Sequence, residues 1–180
     1  MSFFCDWLPM LLPTFFIGCA MFRPATGAQG SCPEDFWVEL HWRAGSLPPP
    51  LHYESTITIT SSGQSKMVLT PDYRRAGVPE WTEQFHVEEP NVRNLYRVMV
   101  ENGLFTHRWR KMATGPTGGG YRRLVVIASG KRFMVEDYVV SEHRASARVM
   151  YAAVQALVPK NLWEQLEARR EQYIEEYPRR

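Results

Sequence analysis

The sequence predicts an α+β fold, mainly an antiparallel sheet with its helices packed on one face. Three observations carry that expectation. Segments in which apolar and polar residues alternate follow one another through short links, which suits antiparallel neighbours. Three later segments place apolar residues at helical spacing instead. Strands and helices also do not alternate regularly, as a doubly wound nucleotide fold would require. The expected order is β-β-β-β-α-β-β-α-α.

The elements follow in turn. Phe36, Val38, Leu40 and Trp42 alternate with Trp37, Glu39 and His41, the period of a half-buried strand. Pro48, Pro49 and Pro50 lack the donor a sheet ladder needs, so the strand ends near Arg43 and a loop follows. A second strand puts Tyr53, Ser55, Ile57 and Ile59 on one face. Residues 61–64 turn, residues 66–70 return as a third strand, and an irregular link leads to a fourth at residues 81–87. In the helix that follows, Val92, Leu95, Tyr96 and Met99 share one face. Pro90 suits its first turn, and Gly103 its C-terminal cap. A hairpin is expected about Ser129-Gly130. A helix from about residue 141 to 157 comes next. The last helix starts after Pro159, where Asn161 and Glu164 have capping-box spacing. It carries Leu162, Trp163, Leu166, Tyr173 and Ile174.

At 180 residues, 44% hydrophobic and 22% charged, the composition is that of an ordinary globular chain with its own core. The expected division is an apolar segment and linker over residues 1–34, outside the core, and a single α+β domain over residues 35–180. Cysteines occur only at Cys5, Cys19 and Cys32. A disulfide framework or a thiol-ligated zinc in the body is thereby excluded, and Cys32 reads as a solvated linker thiol. The apolar run from Trp7 to Phe22 is broken by Pro9 and Pro13, and no Lys or Arg precedes Arg23. It is too short and too kinked for a spanning helix, and it lacks the positive start of a secretory signal. The leaning is toward a cytoplasmic protein, with no transmembrane span and with translation from Met21 as one reading. The alternative is secretion, or a lipid anchor at Cys19 in the cell envelope, because Phe16-Ile17-Gly18-Cys19 is similar to a lipobox.

The stretch from Trp42 to Pro50, Trp-Arg-Ala-Gly-Ser-Leu-Pro-Pro-Pro, followed by Tyr53-Glu54, resembles the start of a group of small uncharacterised bacterial proteins. Pro71-Asp72-Tyr73, Val78 to Glu83, and Val158-Pro159 with Trp163 add to the likeness. The resemblance spans roughly residues 36–177. It implies a single domain and supplies no catalytic residues.

The search for chemistry excludes more than it finds. Gly115 and Gly120 have phosphate-loop spacing, but Tyr121 and Arg122 stand where Lys and Ser or Thr are required, and a strand follows. A hairpin or crossover loop is the expectation. Neither a Gly-x-Ser-x-Gly elbow nor a His-Glu-x-x-His motif is present. His41, His52 and His86 lie on expected strands and could converge on one sheet face, but none has metal-ligand spacing, and no metal or cofactor is expected. Asp72 and Glu80 are the acids to inspect for acid–base work. Residues 45–50 read as a rigid loop rather than a polyproline ligand.

Charge is the strongest asymmetry. Between Glu101 and Glu136 no acid occurs, but seven bases do: Arg108, Arg110, Lys111, Arg122, Arg123, Lys131 and Arg132. Trp109, Tyr121 and Phe133 are interleaved with them. The candidate ligand-binding set is therefore Arg108, Trp109, Arg110, Lys111, Tyr121, Arg122, Arg123, Lys131 and Arg132, expected to meet at one sheet edge. The reading is a non-catalytic binding or interaction domain with a basic, aromatic-containing surface. It would take an anionic ligand or an acidic protein. The alternatives are a small hydrolase or transferase with an unrecognised site, and a single-stranded nucleic-acid binder. The net charge of +2 gives no reason to expect a bulk polyelectrolyte partner.

Overall fold

The computed structural model describes residues 31–110, 112 and 119–177. It is α+β: one six-stranded antiparallel sheet and three helices, in the order β-β-β-β-α-β-β-α-α. The strands are β1 (Trp37–Arg43), β2 (Glu54–Thr60), β3 (Gln64–Thr70), β4 (Trp81–His86), β5 (Tyr121–Ala128) and β6 (Lys131–Glu136). The helices are α1 (Glu89–Glu101), α2 (Arg144–Gln155), entered through a 3₁₀ turn at Ser141–His143, and α3 (Lys160–Glu176). Spatial strand order is β4-β3-β2-β1-β5-β6. The first four strands form a meander, and the later hairpin joins its free edge at β1.

Period-two alternation sorts the side chains. Val38, Leu40, Ile57, Ile59, Met67, Leu69, Leu124, Val126 and Val135 point to one face and are buried. The buried face of α1, made by Val92, Leu95 and Met99, joins them, as do Met150, Tyr151 and Val154 of α2 and Leu162 and Leu166 of α3. The opposite face carries Glu39, His41, Glu54, Thr56, Thr58, Lys66 and Arg123, and none of the three helices α1–α3 lines its groove. Among the described residues no helix is long and apolar enough to cross a membrane.

Local chemistry explains the joints. Ser129 and Gly130 take φ of 51° and 71°, the left-handed pair of a tight hairpin turn, and their N–H groups donate to Asp35 at 2.8 and 2.6 Å. Those two bonds hold the Asp35 carboxyl below its ordinary range. Gly103, at φ 72°, ends α1 as expected.

Two expectations are corrected. Asn161 sits inside α3, whose N-cap is Pro159 without a side-chain cap, so the capping box does not form; Lys160 pairs with Glu164 instead. Cys32 is not a solvated linker thiol. It is half-buried against the core, and burial pushes its thiol pKa up. The apolar run at residues 7–22 and Cys19 lie outside the described residues, as does most of the glycine-rich loop.

Candidate functional site

The sheet's alternation decides where the basic segment goes. Arg122 and Arg123 are neighbours in the chain and therefore point to opposite faces. Arg123 lies on the open face, in register with His41 on β1 and Glu136 on β6. Tyr121 shares that face. Its hydroxyl donates to Glu136 at 2.5 Å, and burial together with that carboxylate pushes its pKa up to about 12. Arg132 also lies on the open face, and Lys131 is exposed at the start of β6. Arg108 and Arg110 are exposed on the α1–β5 connection. Trp109 packs against the core, with its indole N–H donating to the Leu104 carbonyl at 3.0 Å. Lys111 lies outside the described residues. The expected meeting of Arg122 with Arg123 at one edge is thus corrected.

Arg123 lines a shallow groove on the open face, whereas Arg122 enters a cleft beside the helices. It points to the helix side, where a cleft of about 660 Å³ opens between the ends of β1, β5 and β6 and helix α2. Its guanidinium carbon lies 5.2 Å from the Trp42 ring centroid and 5.8 Å from that of Tyr151. Its Nε is buried and, among the described residues, has no hydrogen-bond partner. Helix α2 adds Arg144 and Arg148, one turn apart on the same wall. Like charges at that spacing repel slightly unless an anion lies between them.

The frame around Arg122 is rigid. Asp137 extends the β5–β6 pairing beyond its last residue: it donates its N–H to the Arg122 carbonyl at 2.8 Å and accepts the Arg122 N–H on Oδ2 at 2.6 Å. Burial raises the Asp137 pKa despite that bond and the nearby guanidinium groups of Arg122 and Arg148. Tyr138 is held at φ 66°, a strained conformation for an aromatic residue, and its hydroxyl donates to the Gly120 carbonyl at 3.0 Å. Gly120 must be glycine: a Cβ there would come within 1.7 Å of the Trp42 ring. Gly120 therefore serves close packing, and β5 itself stands where a phosphate loop would need a helix.

A second cluster occupies the open face. The Glu54 carboxylate receives His41 Nε2 at 3.4 Å and Arg74 Nε at 3.4 Å on one oxygen, and His52 Nε2 at 3.5 Å on the other. His52 is buried, stacked on Tyr73 at 3.8 Å, with Nδ1 on the Gly45 carbonyl at 3.2 Å. A groove of about 510 Å³ runs past Glu54 and His41 toward Trp37. His86 sits at the far end of the sheet, opposite Gln64. Among the described residues no group of His, Cys, Asp or Glu is placed to hold a metal ion. At Glu54 the Arg74 guanidinium already supplies positive charge. Asp72 has no exposed surface. It is spent on the Tyr73 N–H, Arg75 and the Tyr173 hydroxyl, at 2.7, 2.8 and 3.4 Å. Glu80 pairs with Arg74 at 3.8 Å.

No family model and no curated protein matches the chain. The functional reading therefore rests on these geometries alone. Sequence reasoning found Arg122 but missed Trp42, Asp137, Tyr138, Arg144, Arg148 and Tyr151 as its companions. The one available signal was Arg144, Arg148 and Tyr151 recurring on one face of an expected helix.

Proposed function

We propose that this protein is a non-catalytic binding domain that takes a small anionic ligand into the cleft between α2 and the β5–β6 hairpin. One observation carries the reading. Arg122 is a partly desolvated cation, flanked by aromatic rings, with its Nε unpartnered and two further arginines on the same wall. A desolvated charge is costly without a counter-charge. Asp137 compensates only in part, because its Oδ2 is already engaged by the Arg122 backbone N–H. An anion in the cleft completes the balance, and the Arg fork suits carboxylate or phosphate oxygens. Calorimetric titration with 1-naphthoate and with inorganic phosphate tests this. At least one should bind, and Arg122→Gln or Arg148→Gln should weaken it about tenfold or more, the worth of a charge-assisted hydrogen bond. Silence with both anions counts against the reading.

A second reading, a small hydrolase or transferase, has one observation in its favour: His41 and His52 both approach Glu54. A carboxylate that orients an imidazole is a familiar acid–base device. Turnover of activated acyl or phosphoryl esters, abolished by His41→Gln, would support it. An unchanged rate in that variant removes it.

A further inference from the structure

The rim of the cleft is cationic, but most of its wall is not: Trp42, Met112, Tyr138, Val139, Ala147 and Tyr151 line it. A free phosphate or a polyanion has nothing to set against such a wall, whereas burying apolar ligand surface there is favourable in proportion to the area covered. At about 660 Å³ the cleft is in the range of small-molecule sites, which combine apolar walls with a few fixed polar groups. Asp137 also lines it, while the Glu136 carboxylate is turned to the open face and bonded to Tyr121, so three arginines face one acid. With so much of the wall apolar, that charge suits a single anionic head on an apolar body. The Arg122 guanidinium carbon lies 5.2 and 5.8 Å from two ring centroids, whose bulk limits where its fork can turn. A planar fork so confined matches a planar carboxylate bidentately.

Building on the anion-binding reading, we infer that the ligand is an aryl or branched-chain monocarboxylate. Its apolar body lies against Trp42 and Tyr138, and its carboxylate faces Arg122 with Arg148 beside it. Tyr138 acts as a positioning wall, kept in its strained conformation by the Gly120 carbonyl.

The test uses the full chain and four probes in calorimetry: 1-naphthoate, 1-naphthalenemethanol, inorganic phosphate and a single-stranded oligonucleotide. Naphthoate should bind at least tenfold more tightly than the uncharged alcohol and than phosphate. Arg148→Gln, an exposed position on α2, should lose that preference, and Lys160→Gln on α3 should keep it. Arg122→Lys should retain the charge and lose most of the gain, because a point charge cannot form the fork. If phosphate binds and naphthoate binds no better, the carboxylate inference fails and the anion-binding reading survives. If naphthoate and the alcohol bind equally, the cleft is merely apolar and both fail. If only the oligonucleotide binds, the inference fails in favour of a nucleic-acid surface.

Discussion

Asp72 lies wholly inside the protein and is spent on holding together the β3–β4 link and the C-terminal helix through Tyr73, Arg75 and Tyr173. Removing its carboxylate takes the acceptor from the Tyr73 N–H and the counter-charge from Arg75. Asp72→Ala should cost about 3 kcal/mol in urea denaturation, the range for breaking a buried charged pair. A shift below roughly 1 kcal/mol would mean that water replaces it. Gly120 makes the opposite argument, since there an added atom does the harm. Gly120→Ala should push the Trp42 ring out of place, costing about 1–3 kcal/mol and most of the naphthoate affinity. Unimpaired binding in a destabilised variant would separate the cleft from that packing. Asp137 supplies a pH dependence. Burial raises its pKa, so the folded chain keeps the proton to a higher pH than the unfolded chain does. The stability this contributes is complete below the ordinary carboxyl range near 3.9 and is lost as pH rises through the folded value. Asp137→Asn, which can still accept the Arg122 N–H, should gain on the parent as pH climbs through that window. A constant difference between the two across acid pH would refute the assignment.

Among the elements, α3 is held by one stripe. Leu162, Leu166 and Tyr173 are buried, while Trp163 and Ile174 are half-buried at its margin. Leu166→Ala should therefore cost roughly 3 kcal/mol. Trp163→Ala should cost less despite the larger side chain, because part of its ring keeps its water. The reverse ranking would show that the helix is rotated on the sheet. The stripe itself was legible from spacing, as were the strands: β1 and β2 by their period-two mark, β3 and β4 by the links that bound them, and β5 and β6 by the turn between them. The place of the hairpin turn was legible too, at Ser129-Gly130. The start of α3 after Pro159 was legible as well, but its cap was not: Asn161 and Glu164 have the spacing of a capping box and lie inside the helix. The cleft was half legible. Alternation alone separates Arg122 from Arg123, although proximity in the chain suggested grouping them. Nothing local announces that Asp137 caps the strand pair or that Tyr138 adopts a left-handed backbone. Those features exist only once β6, α2 and the segment before β5 are packed together.

On the scale of the whole molecule, the charge distribution argues against a polymer as ligand. A nucleic acid needs bases aligned along one surface, so that several phosphates release counterions together. Here Arg122 faces the helices, Arg123 and Arg132 face the open side, and Arg108 and Arg110 lie on a connection. Glu39, Glu54 and Glu80 also share the open-face groove with Lys66, Arg74 and Arg123, leaving it without net charge. If four to six phosphates were engaged, affinity would fall by about two to three decades between 50 and 200 mM salt. With a single carboxylate on Arg122, the loss for naphthoate over the same range should be less than about threefold, because one partly shielded pair is screened only weakly. A single-stranded oligonucleotide should show no measurable binding at 50 mM salt, since the described bases are divided between the cleft, the open face and the α1–β5 connection. Steep salt dependence for either probe would mean that the arginines act together across the β5 edge. Charge reversal at Arg123, which lies outside the cleft, would then abolish binding, whereas for a ligand held in the cleft it should leave naphthoate affinity within about twofold, the screened influence of a charge on the opposite face.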